Sequence, residues 1–288
     1  MRRFQLIEPD SFDAAITALE KDPGAKAIAG GTALLILIKH GVYLPETLVN
    51  LRKIRGVAGI TFDPKKGLRI GALTSLYDVE RHPLVRERYP VLAEACHVVA
   101  NIRIRNLATI GGNLAHADYQ SDPPAALVAL DARLELSSSS GTREVALSDF
   151  LLGAYETVLE PGELVRAVLL PTNEPGWRGA YLKFTTRSSE DRPAVGLTAL
   201  IRMEDDRCVD ARLVVGAVTP TPVRMTAAEA VIRGRKLAGD LFAEVGSIVE
   251  RTLEPIDDLR GSASYKRRVA GALTERALER CIKQGGPQ

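Results

Sequence analysis

Cysteine is scarce in this 288-residue chain, and its three copies are scattered. Cys96, Cys208 and Cys281 lie 112 and 73 residues apart, with no C-x-x-C pair. An odd, dispersed set excludes a disulfide framework and a locally encoded zinc or iron–sulfur site. Histidine is equally sparse: His40, His82, His97 and His116 have no metal-ligand spacing, so no protein-bound metal is expected. Charge of one sign is missing as well. With 38 basic and 36 acidic residues the net charge is +2, too small a field to argue for nucleic acid or a membrane surface. Long apolar runs are absent too. The longest without alanine, Leu34 to Ile38, is far too short to cross a bilayer, so no transmembrane segment is expected. Met1-Arg2-Arg3 runs straight into polar sequence without a signal-peptide core, which makes a cytoplasmic protein the expectation.

What the chain does have is apolar mass. At 45% hydrophobic residues it can bury a full core and divide into two or three compact units. Ser11 suits the N-cap of a helix over Phe12 to Lys21, and Ala25 to Ala29 reads as a buried strand. Thr32 then suits the cap of a helix from Ala33 to Lys39 that Gly41 stops. Leu48 to Leu51 and Leu68 to Ala72 read as strands, and Thr74 as the cap of Ser75 to Glu80. Pro90 starts a helix through Val99, and Asp122-Pro123-Pro124 places Asp at an N-cap and Pro at the first helical position. Arg133 to Ser137 and Thr142 to Val145 form a hairpin, and Leu164 to Leu170 is a buried strand.

Asn173-Glu174-Pro175-Gly176 is the clearest linker. Beyond it, Gly179 to Thr186, Ala194 to Met203 and Val209 to Val218 read as an antiparallel meander. Helices follow at Thr226 to Arg233, Asp240 to Arg251 and Ser264 to Lys283. Strands followed by helices predict an α+β unit with helices on one face.

Two diglycine segments, 81 residues apart, are the most informative feature: Ala29-Gly30-Gly31-Thr32 and Thr109-Ile110-Gly111-Gly112-Asn113. Each is read as a turn after a strand-like approach. Bare backbone with hydroxyl or amide neighbours approaches a ligand closely and aims N–H groups at oxygen. Brought together, the two would grip a dinucleotide diphosphate. Neither has the Rossmann pattern or a P-loop lysine. Asp122, beyond the second segment, suits either a helix cap or an acceptor for sugar or ribityl hydroxyls. Lys183 suits a charge over a ring edge or a solvated strand-edge lysine. His116 suits a core or turn position, and nothing beside it forms a nucleophilic triad.

Five blocks stand in an order that resembles one family. They are Ala29 to Leu34, Arg105 to Asp118, Ser121-Asp122-Pro123-Pro124, Phe150-Leu151 to Pro171 with Pro161-Gly162-Glu163-Leu164-Val165 inside it, and Ser262-Ala263-Ser264-Tyr265-Lys266-Arg267-Arg268. Together with Lys183-Phe184 to Arg187, they resemble the FAD-binding (medium) subunit of molybdenum hydroxylases, the group of carbon monoxide dehydrogenase and xanthine dehydrogenase, essentially end to end. The resemblance implies an α+β fold: a two-lobed PCMH-type FAD-binding domain over residues 1–172, with lobes of about 1–54 and 55–172. A C-terminal α+β domain over 177–288 follows, with a three-stranded antiparallel sheet and helices.

The resemblance also implies site roles. Ala29, Gly30, Gly31, Thr32, Ala33 and Leu34 would wrap the FAD diphosphate and ribityl chain with Thr109, Ile110, Gly111, Gly112 and Asn113. Ala115, His116 and Ala117 would belong to the same cofactor-binding set. Asp122 would accept from hydroxyls, Leu169 would lie against the isoalloxazine, and Lys183 would sit near its pyrimidine edge. No catalytic residue and no metal ligand is implied. The implied partners are a [2Fe-2S] small subunit and a molybdopterin-binding large subunit, in a dimer of heterotrimers, with an external electron acceptor. Two departures stand out: Tyr119 follows Asp118 where such subunits often carry Pro, and Arg192 stands where Tyr is expected. The first would add stacking near the cofactor, and the second would alter access to the ring. Two other readings remain open at this point, a self-contained flavin oxidase or dehydrogenase and a non-catalytic assembly subunit.

Overall fold

The computed structural model describes residues 3–284; Met1 and Gln288, the outer bounds expected for the two domains, lie outside it together with Arg2. In chain order the elements are β1 (Gln5–Ile7), α1 (Phe12–Lys21), β2 (Lys26–Ile28), α2 (Leu34–Lys39), β3 (Thr47–Asn50), β4 (Ile60–Asp63) and β5 (Gly67–Gly71). Five helices follow: α3 (Leu76–Arg81), α4 (Pro83–Arg88), α5 (Pro90–His97), α6 (Ile102–Leu107) and α7 (Ile110–His116). Then come α8 (Pro123–Ala129), β6 (Arg133–Ser138), β7 (Gly141–Ala146), α9 (Leu147–Phe150), β8 (Leu151–Gly153), β9 (Glu156–Thr157) and β10 (Leu164–Leu170). The last third holds β11 (Trp177–Phe184), β12 (Val195–Glu204), β13 (Arg207–Gly216), β14 (Val223–Arg224), α10 (Thr226–Ile232), α11 (Gly239–Thr252) and α12 (Ala263–Lys283).

Two compact units emerge, and neither is a single stretch of chain. Among the described residues, the first comprises 3–79, 101–118 and 132–170; the second comprises 80–100, 119–131 and 171–284. The first unit holds a parallel three-stranded sheet in the order β1-β3-β2 and an antiparallel five-stranded sheet in the order β4-β5-β10-β6-β7. Alternation along these strands buries Leu68 and Ile70 of β5, Leu134 and Leu136 of β6, and Val168 and Leu170 of β10. Helix α7 packs on β10. The Ser11 hydroxyl accepts from Ala14 N and caps α1, as its sequence predicts.

The second unit is built on an antiparallel sheet in the order β11-β12-β13-β14. The expected three long strands are there, extended by a two-residue edge strand. Ala180, Leu197, Ala199, Ile201, Ala211, Leu213 and Val215 join one core cluster with Val245 and Val249 of α11 and Ala277 and Leu278 of α12. Helices do not cover one face alone. On the opposite face a Cβ at Gly179 would stand 3.3 Å from Val91 of α5, and one at Gly216 3.0 Å from Ala125 of α8. Helices from before residue 172 therefore complete this second layer.

Several local expectations change. Helix α2 begins at Leu34, and its N-cap is Ala33 without a side-chain bond, so Thr32 is not its cap. Ser75 rather than Thr74 caps α3, accepting from Asp78 N at 3.0 Å, while the Thr74 hydroxyl bonds the Gly59 backbone. The second diglycine is not a turn after a strand. It lies in the first turn of α7, and helix α6 precedes it.

Candidate functional site

The site is assembled inside the first unit. Strand β2 ends at Ile28, and Gly31 turns the chain with φ at 72°, a conformation that side chains rarely adopt. On the other side, Asn101 caps α6 by accepting from Arg103 N and Ile104 N. That helix ends at Leu107, and Ser75 bridges to Thr109. The Thr109 hydroxyl then accepts from Gly112 N at 3.1 Å and caps α7.

Two glycines let these segments meet. A Cβ on Gly30 would lie 2.0 Å from the Leu107 carbonyl oxygen, and one on Gly111 would lie 2.5 Å from the Ala72 Cβ. Both positions are therefore closed to any side chain by the protein's own packing. Gly112 differs: only the Thr109 hydroxyl, at 2.8 Å, stands within 3 Å of its missing Cβ. The two diglycine segments border one cavity of about 400 Å³.

The backbone donors are divided unequally between the segments. In the second, Ile110 N donates to Thr74 O, Gly111 N to Ala72 O, Gly112 N to the Thr109 hydroxyl and Asn113 N to Thr109 O. Those four are spent within the protein, so the expectation that this segment aims them at a ligand is corrected. In the first, among the described residues, the N–H groups of Gly31, Thr32, Ala33 and Leu34 make no hydrogen bond. These residues border the cavity, and Lys26 lines the same wall. The arrangement suits an anion: donors and charge on one side, a side-chain-free surface at Gly112 on the other.

Of the residues singled out in the sequence, Ala29, Gly30, Gly31, Thr32, Ala33, Leu34, Thr109, Gly111, Gly112, Asn113, Ala115 and His116 all line this cavity. Ile110 and Ala117 belong to the same unit but are buried and do not line it. Leu169 lies in β10, paired with Arg69 and Arg133, and is not part of the wall; Leu164 and Val165 of that strand are. Sequence reasoning missed the apolar part of the lining, including Leu37, Val42 and Tyr43. A signal existed there: Val42 is 73% exposed, and Leu44 and Ile36 are exposed beside it, an unusual density of apolar surface. Tyr155 was also missed.

Asp122 and Lys183 belong to the second unit, where they face each other. The Asp122 carboxylate accepts from Tyr181 Oη at 2.8 Å and from Lys183 Nζ at 3.1 Å, and Lys183 also donates to the Val98 carbonyl at 2.8 Å. Asp122 makes no side-chain cap for α8, contrary to one of its two sequence readings. Burial pushes its carboxyl up to about 6, against the opposing pull of Lys183 and Tyr181. Burial and the neighbouring Asp122 likewise hold the Tyr181 phenol well above its usual value. Tyr119, expected near a cofactor ring, donates its hydroxyl to Asp258 at 3.2 Å. Among the described residues no cluster of three or more His, Cys, Asp or Glu suits a metal ion, and no helix is long and apolar enough to cross a membrane.

Residues 2–173 match the family described as the FAD binding domain in molybdopterin dehydrogenase, and residues 180–281 match the CO dehydrogenase flavoprotein C-terminal domain. The glyceraldehyde dehydrogenase medium chain of Sulfolobus acidocaldarius is 30% identical over 96% of this chain and 97% of its own length. The carbon monoxide dehydrogenase medium chain of Hydrogenophaga pseudoflava is 32% identical over 96% of each. Among solved structures, carbon monoxide dehydrogenase from Hydrogenophaga pseudoflava superposes with a TM-score of 0.93 at 33% identity, covering 98% of both chains. Quinoline 2-oxidoreductase from Pseudomonas putida 86 also gives 0.93, at 30% identity and the same coverage. The chain therefore belongs to the molybdenum hydroxylase family as an FAD-binding, medium-type flavoprotein subunit of an oxidoreductase.

Proposed function

We propose that this chain is the electron-transferring flavin subunit of a three-component complex. Electrons arrive from [2Fe-2S] clusters on a small partner subunit, after a large molybdopterin-binding subunit has oxidised the substrate, and leave to an external acceptor. The proposed assembly is a dimer of such heterotrimers. Bound FAD supplies the redox chemistry. This chain's own residues hold and orient it.

One observation carries the reading: four backbone N–H groups without a partner among the described residues and a bare glycine surface border one cavity. Gly31 to Leu34 are proposed to donate to the diphosphate, with Lys26 contributing charge. Gly112 lets the cofactor backbone pass, and Asn113 and the Thr32 hydroxyl add polar contacts. The apolar lining around Leu37 and Val42 shelters the cofactor from water. Asp122, Leu169 and Lys183 are proposed as further FAD contacts on the family resemblance alone. None of these side chains is asked to move a proton. The self-contained oxidase would need its own substrate cavity against the flavin, and no observation favours it.

The test is purification of the protein with whatever binds it. Flavin absorbance near roughly 370 and 450 nm, two co-purifying subunits carrying iron–sulfur and molybdopterin, and flavin bleaching on addition of the large subunit's substrate are the expected results. A yellow protein that captures no iron–sulfur partner and reacts directly with an organic substrate would overturn the electron-transfer role.

A further inference from the structure

Tyr155 occupies a position that sequence statistics reserve for glycine or asparagine. It is the second of the two residues, Ala154 and Tyr155, that join β8 to β9, and its φ is 63°. A bulky side chain on left-handed backbone is an outlier, and such outliers concentrate where a site demands them. The conformation is held by its own hydrogen bond: Tyr155 N donates to the Ala117 carbonyl at 2.8 Å. Ala117 is itself left-handed, with φ at 48°, and ends α7. The turn is thereby clipped to the helix whose first turn carries Gly111 and Gly112.

The ring that this geometry displays is not packed away. Tyr155 is 54% exposed, borders the same cavity as the two diglycine segments, and lies 5.2 Å from the His116 ring at an interplanar angle of 56°. A half-exposed aromatic ring thus stands at a strained turn position on the rim of the cavity. Glycine there would relieve the backbone and cost no core.

We infer that Tyr155, backed by His116, is a ring-recognition residue of this cavity that stacks on a planar heterocycle of the bound dinucleotide. The inference rests on the proposal that FAD occupies the cavity, and it adds a contact that the sequence pattern did not mark. Aromatic faces recognise heterocycles through dispersion and quadrupole complementarity, so the ring matters and its hydroxyl does not. FAD offers two such rings, adenine and isoalloxazine, and the same chemistry serves either.

The experiment uses the full chain, purified with any partner subunits, stripped of cofactor and titrated with FAD. Tyr155→Gly is expected to keep or raise the melting temperature of the stripped protein while weakening FAD binding about tenfold. Tyr155→Phe should bind like the parent. Competition with ADP and with FMN separates the two rings: weakened ADP binding in Tyr155→Gly assigns the contact to adenine, and weakened FMN binding assigns it to isoalloxazine. Unchanged FAD affinity in Tyr155→Gly overturns the inference while leaving the cofactor site intact, as does a loss in Tyr155→Phe equal to that in Tyr155→Gly. A parent protein that binds no FAD removes both this inference and the functional reading beneath it.

Discussion

At the scale of single residues, the four glycines of the two segments are not equivalent. Gly30 and Gly111 face carbonyl and Cβ atoms of their own chain, whereas Gly112 faces the cavity and the capping hydroxyl of Thr109. Gly111→Ala should therefore lower stability by about 1–3 kcal/mol through overpacking. Gly112→Ala should cost no more than its helix cap, about 1 kcal/mol. Gly112→Val should leave a folded protein with the ratio of 450 nm to 280 nm absorbance sharply reduced. Thermal melting and flavin occupancy, measured together on the variants, check this division. Full occupancy in a folded Gly112→Val protein would place the cofactor elsewhere. The sequence alone treats Gly111 and Gly112 as one feature, because the atoms that distinguish them sit on Ala72, dozens of residues away.

At the scale of elements, α8 is tied to β11 by the buried Asp122 carboxylate, which holds both Tyr181 and Lys183. Its carboxyl stands at about 6 in the folded chain against an ordinary 3.8. Between those values the folded protein keeps a proton that the unfolded chain has released, so stability falls as pH rises through the window and is level above it. Asp122→Asn retains an acceptor but cannot titrate. The melting temperature of the parent minus that of Asp122→Asn should therefore decrease from pH 4 to pH 6.5 and then flatten. A difference that stays constant or grows with pH would refute the shift.

Many elements were legible because local signals and burial agree. Ser11 before α1, Leu164 to Leu170 as β10, and the Ser138 to Gly141 hairpin region all appear where capping, an apolar run broken only by Arg166 and turn chemistry put them. Helix α7 was not legible. Two adjacent glycines disfavour a helix by about 1 kcal/mol each, and only the tertiary requirement for close approach to Ala72 explains their presence. The second layer on the C-terminal sheet left a trace that was readable in retrospect. Val195 to Ile201 is buried at every position, the pattern of a strand covered on both faces. Likewise Asp122-Pro123 reads as a helix cap from sequence, since the partners that claim its carboxylate lie about sixty residues further on.

At the scale of the whole molecule, the boundaries of sequence families and of compact units differ. The FAD-binding family segment ends at residue 173, yet residues 80–100 and 119–131 within it pack with the C-terminal sheet. A fragment covering residues 2–173 would carry α5 and α8 without the strands that pack against Val91 and Ala125. It should be poorly soluble, bind a hydrophobic dye and lack the cooperative melt of the full chain. A soluble, cooperatively melting fragment would show that α5 and α8 do not need the C-terminal sheet to fold.

The backbone passes between the two units five times, and this has a consequence for the order of events on the ribosome. Helix α5 is complete at His97, but the last long strand of its sheet ends 119 residues later, at Gly216. At ordinary elongation rates the nascent helix waits on the order of ten seconds with its apolar stripe uncovered. That interval, within synthesis itself, is when the emerging polypeptide most needs a chaperone.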